Sequence, residues 1–260
     1  MRIRILAAVA FALVASAGWA GAAEIKVFST IGVQAALEEL TPQFEQASGH
    51  KLVITWNTAA VLVKRLQAGE AADVVVLTRA RLDTLAKDGK AVAEPTFASS
   101  GMGMVVKKGA AKPDISTPDA FKRALLSAAT IAYSDPAHGG ASGVYLAKLL
   151  ERLGIVDEVK GKTRHPPQGG NAAVLVANGE AALAIQQVPE VISVTGVDFV
   201  GELPAELNNI TAFAAGPVTG TKQEDAAKAL VKFLHSPEAA AVFKARGLTP
   251  VAPGAPPKAS

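Results

Sequence analysis

Hydrophobic and polar positions along this chain switch repeatedly between a two-residue and a near-four-residue period, and Ile54–Leu77 shows the switch in one unit. An apolar run is followed by a polar turn, a helix-spaced stripe (Val61, Leu62, Arg65, Leu66), Gly69 and a second apolar run. Asn57 and Thr58 are suited to cap the helix, because their side-chain oxygens accept its first unpaired N–H groups. Gly69 suits the left-handed residue after a helix. Asp73–Leu77 is apolar on both faces, as a strand between helix layers must be. The unit reads as βαβ, with its helix N-terminus at the carboxyl end of the first strand. That edge is where open α/β sheets bind ligands, and free N–H groups there favour anions.

The same alternation predicts the rest. Glu24–Phe28 reads as a strand, and Ser29–Gly32 leads into a helix over Val33–Ala47 with Pro42 as a kink or break. Lys51–Thr55 is the strand that opens the βαβ unit. After it, Thr78 caps a helix carrying Leu82 and Leu85 and stopped by Gly89. Phe97–Lys108 is strand-like but interrupted by glycines, so a crossing between lobes is placed there. Thr117-Pro118 starts a helix ending near Ser127, and Ala129–Tyr133 is a strand. Ser142 is expected to cap a helix to Leu153. The loop 166–173 precedes a short helix, and Ala181–Gln186 is a strand. Phe199–Leu203 is an edge segment, and Ile210–Pro217 a return strand. Thr221-x-x-Glu224 reads as a capping box, and Ser236-Pro237 opens the last helix, closed by Gly247.

Composition narrows the setting. Arg2 and Arg4, the apolar run Ile5–Ala17 and small residues at 20–23 make residues 1–23 a secretory signal peptide, cut after Ala22 or Ala23. Loss of its two arginines takes the formal charge from +3 to about +1, so the basic pI of the full chain carries little weight. There is no basic face interleaved with aromatics, hence no nucleic-acid partner is expected. Cysteine is absent and there are four histidines, which argues against a zinc-type site or any metal cofactor. The expectation is an exported, soluble, monomeric periplasmic protein whose tail, 250–260, is rich in proline and disordered.

Four loops share one property: small residues and free N–H groups at a helix start after a strand. They are 29–32, 57–60, 138–143 and 168–171, and together they suggest a cleft lined by helix N-termini. The candidate ligand contacts are Ser29, Thr30, Gly32, Asn57, Thr58, Ala59, Gly140, Ser142, Gly143, Arg164, Gly169, Gly170 and Gln187. Arg164 is placed to pair with an acid group, and Gln187 to offer uncharged donors and acceptors. Asp135 and His138 can be read as an acid–base pair, or Asp135 as the cap of the turn at Pro136. No G-x-S-x-G, phosphate-binding P-loop or G-x-G-x-x-G pattern is present, so no catalytic residue is expected.

Val27-Phe28 with the helix to Phe44, Leu66–Asp73, Asp135–His138 with Gly143–Tyr145, and Ser236–Gly247 resemble the periplasmic molybdate-binding proteins and their relatives. These are the substrate-binding components of ABC importers, and the resemblance spans Ile25 to Leu248. It implies an α/β fold of the type II periplasmic-binding-protein kind, with two lobes, each a sheet flanked by helices, joined by two crossover strands. By order, lobe I takes 24–100 and 214–249 and lobe II 101–213, with hinges near Ser99–Met104 and Asn209–Gly216. The family's two ligand serines fall at Gly32 and Ala59, its ligand tyrosine at Gln187, and the loop after His138 is one residue longer. Loss of two hydroxyls, each worth about 1.5–3 kcal/mol on an anion, weakens oxyanion binding on the order of a hundredfold or more. The resemblance therefore implies delivery of a small organic carboxylate or other anion to an inner-membrane permease. The alternatives are molybdate or tungstate binding, and a sensor presenting its solute to a signalling partner. An enzyme built on Asp135 and His138 is the remaining one.

Overall fold

The computed structural model describes residues 22–252. The expected signal peptide, to residue 21, and the tail from residue 253 lie outside the described residues. The chain runs through β1 (Glu24–Thr30), a 3-10 turn (Ile31–Val33), α1 (Gln34–Ser48), β2 (Lys51–Asn57), α2 (Ala59–Gln67), β3 (Val74–Thr78), α3 (Arg79–Lys87) and β4 (Thr96–Ser100). Past Gly101 come β5 (Met102–Lys107), α4 (Pro118–Ser127), β6 (Ile131–Ala132), a 3-10 turn (Pro136–His138), α5 (Ala141–Leu153), α6 (Val156–Lys160) and β7 (Thr163–Arg164). They are followed by α7 (Ala172–Ala177), β8 (Leu183–Gln187), α8 (Val188–Ile192) and β9 (Val197–Glu202). β10 (Thr211–Pro217), α9 (Glu224–Phe233), α10 (Pro237–Ala245) and β11 (Thr249–Pro250) complete the described chain.

These strands form two sheets. The first has the order β11-β4-β10-β3-β1-β2, the second β7-β6-β8-β5-β9. β1, β2 and β3 are parallel, as are β6, β7 and β8, while β10 is antiparallel to β3 and β4. Each sheet is buried on both faces. Leu37, Leu40, Leu230 and Phe243 cover one face of the first sheet, and Leu62, Leu66, Leu82 and Leu85 the other. Phe121, Leu146 and Leu149 cover one face of the second, with Ala173, Val176 and Val191 opposite. This two-lobed α/β arrangement is the one the resemblance implied. Among the described residues, no helix is long and apolar enough to cross a membrane.

The crossings run side by side. Gly101 separates β4 from β5, and residues 203–210 connect β9 to β10. Asn208 ties the two together: its Oδ1 accepts from the Met102 amide at 2.8 Å and its Nδ2 donates to Glu202 Oε2 at 3.1 Å. A Cβ at residue 101 would meet Asn208 Nδ2 at 2.7 Å, so any larger residue there would displace the Asn208 side chain that ties the crossings. β10 pairs with β4 from Thr211 onward, ahead of the 213/214 boundary expected from chain order. β11 takes in Pro250, which the sequence reading assigned to the tail, and Val251 donates to the Phe97 carbonyl.

Three local expectations change. Pro42 lies inside α1 without breaking it, on an exposed face where water can satisfy the carbonyl it leaves free. The N-cap of α5 is Gly140, not Ser142, which sits buried in the first turn. Thr221 does not form a capping box; its hydroxyl donates to Asp73 Oδ1 at 2.5 Å and accepts from the Gln223 amide, and α9 starts only at Glu224.

Candidate functional site

A cavity of about 320 Å³ opens between the carboxyl edge of β1, β2 and β3 on one side and the loops around α5 and α8 on the other. The first turns of α2, α3 and α5 reach it through Thr58 and Ala59, through Thr78, Ala80 and Arg81, and through Gly140, Ala141 and Ser142. The leading N–H groups of a helix have no acceptor inside it, so each of these ends presents free donors and a partial positive charge. Local sequence makes these ends. Thr58 adopts extended backbone and its hydroxyl accepts from Val61, and Gly139, at φ +70°, turns the chain from the Pro136–His138 turn into α5.

The two sides touch across the cavity. Thr58 Oγ1 donates to the His138 carbonyl at 3.0 Å. A Cβ on Gly139 would come within 2.8 Å of the Ala60 methyl.

Of the residues singled out from sequence, Thr30, Gly32, Thr58, Ala59, Gly140, Ser142, Gly169, Gly170 and Gln187 line the cavity. Four do not. Ser29 is fully buried, with its hydroxyl against the Thr30 carbonyl at 3.3 Å. The Asn57 side chain folds back to accept from the Thr58 amide at 2.8 Å. Gly143 packs against strand β6's exit, where a Cβ would stand 2.2 Å from the Ser134 carbonyl oxygen. Arg164 sits exposed on edge strand β7 and donates to the Thr163 carbonyl at 2.9 Å.

Some lining residues are already committed elsewhere. The Gly170 amide donates to the Pro167 carbonyl, closing its own turn. Gln187 is buried at the end of β8. Its amide oxygen accepts from Thr211 Oγ1 at 2.8 Å and its nitrogen donates to the Gly101 and Ser100 carbonyls at 3.1 and 3.2 Å. Asp135 accepts from the Ala137 amide at 2.8 Å, which makes it the cap of the Pro136 turn.

Other residues were missed. Arg81 and Lys148 supply exposed positive charge at the rim, and Thr78 ends β3 at the start of α3, in a βα position like the loops already flagged. Asn209 enters from the second crossing, and Thr211 and Phe213 from the start of β10. Glu190, on α8, is the least expected: a buried acid in a cleft lined by helix N-termini. Burial raises its carboxyl pKa to about 8, only partly opposed by the hydrogen bond from Gln186, so it is mostly a neutral acid at pH 7. Its signal was a lone acid inside the apolar run 188–192. Among the described residues, no cluster of three or more His, Cys, Asp or Glu could hold a metal ion.

Two helix-flanked sheets that aim helix N-termini at a shared cavity define a two-lobed solute-binding protein. The sequence pattern of the bacterial extracellular solute-binding proteins matches residues 25–249, and the chain belongs to that family. It is 36% identical to an aconitate isomerase from Pseudomonas sp over 235 residues, covering 87% of this chain and 88% of that protein. It is 26% identical to the molybdate-binding protein ModA of Escherichia coli (strain K12), covering 94% and 95%. The periplasmic molybdate-binding protein of Azotobacter vinelandii superposes with a TM-score of 0.71 at 21% identity, over 86% of this chain and 98% of that one.

Proposed function

We propose that this protein captures a small organic polycarboxylate, of the tricarboxylate class that includes aconitate, in the cleft between its lobes. The observation that carries this is the donor set: helix-end amides with Arg81 and Lys148, and no side-chain hydroxyl at either Gly32 or Ala59. Size supports it. A tetrahedral oxyanion displaces on the order of four waters, about 120 Å³ at about 30 Å³ each. The cavity of about 320 Å³ leaves room for more. The Pseudomonas relative, whose name gives a tricarboxylate substrate, points the same way.

In this reading the protein works as a periplasmic monomer, freed from a cleaved N-terminal signal, and hands its anion to the membrane permease of an ABC importer. The lobes are 24–100 with the segment after β9's connection, and the intervening chain from 101. Closure bends the two crossings together.

A second reading is that the bound tricarboxylate is also converted in the cleft, which the 36% identity to an aconitate isomerase favours. Both share one binding test. Melting of the mature protein should rise by about 5–10 °C with cis- or trans-aconitate or citrate at a hundred times Kd. Molybdate, tungstate and sulfate should leave it unchanged. A shift with molybdate or tungstate and none with any carboxylate overturns the proposal.

A further inference from the structure

The cleft contains a group that simple capture does not need. Glu190 is the titratable side chain shared by the ligand cavity and by a second groove behind it, lined by Glu38, Glu39, Asn171, Ser193 and Arg246. Its backbone is fixed: the Glu190 carbonyl accepts from Asn171 Nδ2 at 2.6 Å and from Ser193 Oγ at 2.7 Å. Its carboxyl is fixed too. Gln186 is fully buried and its Oε1 accepts from the Ala172 amide at 2.8 Å, which turns its Nε2 toward Glu190 Oε2. Among the described residues no donor reaches the other oxygen, Oε1. That oxygen faces Gly32, where even an added Cβ would stop 3.7 Å short of it. An oriented carboxyl with one free oxygen therefore faces the place a ligand fills.

We propose that Glu190 carries the migrating proton of a 1,3-hydrogen shift in a bound unsaturated tricarboxylate, so that the protein is an isomerase as well as a receptor. The inference rests on the polycarboxylate reading above. In aconitate a CH₂ and a vinylic CH flank one substituted carbon, and each of the three carbons bears a carboxylate. Glu190, as carboxylate, removes a methylene proton. The C–H electron pair becomes the new C=C bond, and the old π pair moves to the former vinylic carbon. That carbon then takes the proton back from Glu190. Nothing is oxidised or reduced, no group leaves, and the double bond ends on the other side, where its geometry is set anew. The helix-end amides and Arg81 hold the carboxylates over which the intermediate negative charge spreads.

Environment suits the task. A neutral acid does not repel an arriving anion, and burial makes Glu190 a stronger base than an exposed carboxylate once its proton leaves. The rear groove lets that proton exchange with water while the ligand covers the front. Asp135 is less suited, because its carboxylate caps a turn.

The test is proton NMR of trans-aconitate with the mature protein in deuterated buffer, run beside thermal shifts with the same compound. Wild type should produce cis-aconitate carrying solvent deuterium. Glu190→Gln should lose at least about a hundredfold in rate while keeping its aconitate-induced melting shift. Glu190→Asp, which keeps the acid but retracts it, should retain part of the rate. Aconitate binding without conversion by wild type overturns this inference and leaves the receptor reading standing. No aconitate binding overturns both. Conversion by Glu190→Gln at the wild-type rate overturns the assignment of Glu190.

Discussion

At the scale of single residues, the cleft is shaped as much by what is missing as by what is present. Gly32 stands where the resemblance puts a ligand serine, but a Cβ there would lie 2.9 Å from two carbons of the buried Phe213 ring. Gly32→Ser should therefore cost about 1–3 kcal/mol of stability by overpacking, read as a lower urea midpoint, and should not create molybdate binding. Glu190 yields a prediction with a definite sign. Its carboxyl titrates near 4.5 when unfolded and near 8 when folded. Between those values the native state holds a proton that the unfolded chain has released, so this group's contribution to stability falls as pH rises from about 4.5 to about 8. Glu190→Gln should melt progressively higher than wild type across that window, with the gap level above it. Arg81, Asp135, His138 and Lys148 line the cleft and Glu38, Glu39 and Arg246 the groove behind it, and these charged and titratable groups are the same in both proteins. A gap that narrows with pH would contradict the assignment.

Elements were more legible than their ends. α4 and α10 begin where Thr117-Pro118 and Ser236-Pro237 said they would, because a capping hydroxyl and a proline at the first turn are both local signals. Thr221 misled because its best partner, Asp73, is far away in sequence, just ahead of β3, and draws the hydroxyl away from α9. The four loops of small residues were readable as a set, since they follow the parallel strands β1 and β2 of the first sheet and β6 and β7 of the second. Arg164 was not: closeness in sequence to the loop at 166–173 says nothing about which way an edge strand presents its side chains. Lys148 was hidden two turns down α5, and Glu190 needed the fold to show that α8 closes the cleft. β10 offers a test of packing between elements. A Cβ at Gly216 would sit 1.8 Å from the Val92 carbonyl oxygen, and Val92 in turn donates to the Pro217 carbonyl. Gly216→Ala should destabilise the protein by about 1–3 kcal/mol in urea unfolding, and more if the 91–92 segment cannot move.

For the molecule as a whole, hydrogen bonds among the described residues join the two sides of the cleft. Thr58 is the clearest of them, serving at once as the cap of α2 and as the donor to the His138 carbonyl on the opposite side. Thr58→Val should cost about 1–2 kcal/mol in denaturant titration from both losses together. It should also widen the solution-scattering envelope of the free protein; an unchanged envelope would show that this bond does not hold the lobes. The α/β class was readable from alternating periods and the two-lobed arrangement from the resemblance, whereas the exact crossing points depended on pairing between strands far apart in sequence, such as Thr211 with Ser100. Those crossings leave and rejoin the first sheet on neighbouring strands, β4 and β10. The stretch 102–202 is thus a cassette plugged into its host at a single socket. Chimeras that exchange it between relatives would inherit Glu190 and the α5 end from one parent and the α2 and α3 ends from the other, a natural route to new solute preferences without rebuilding either half.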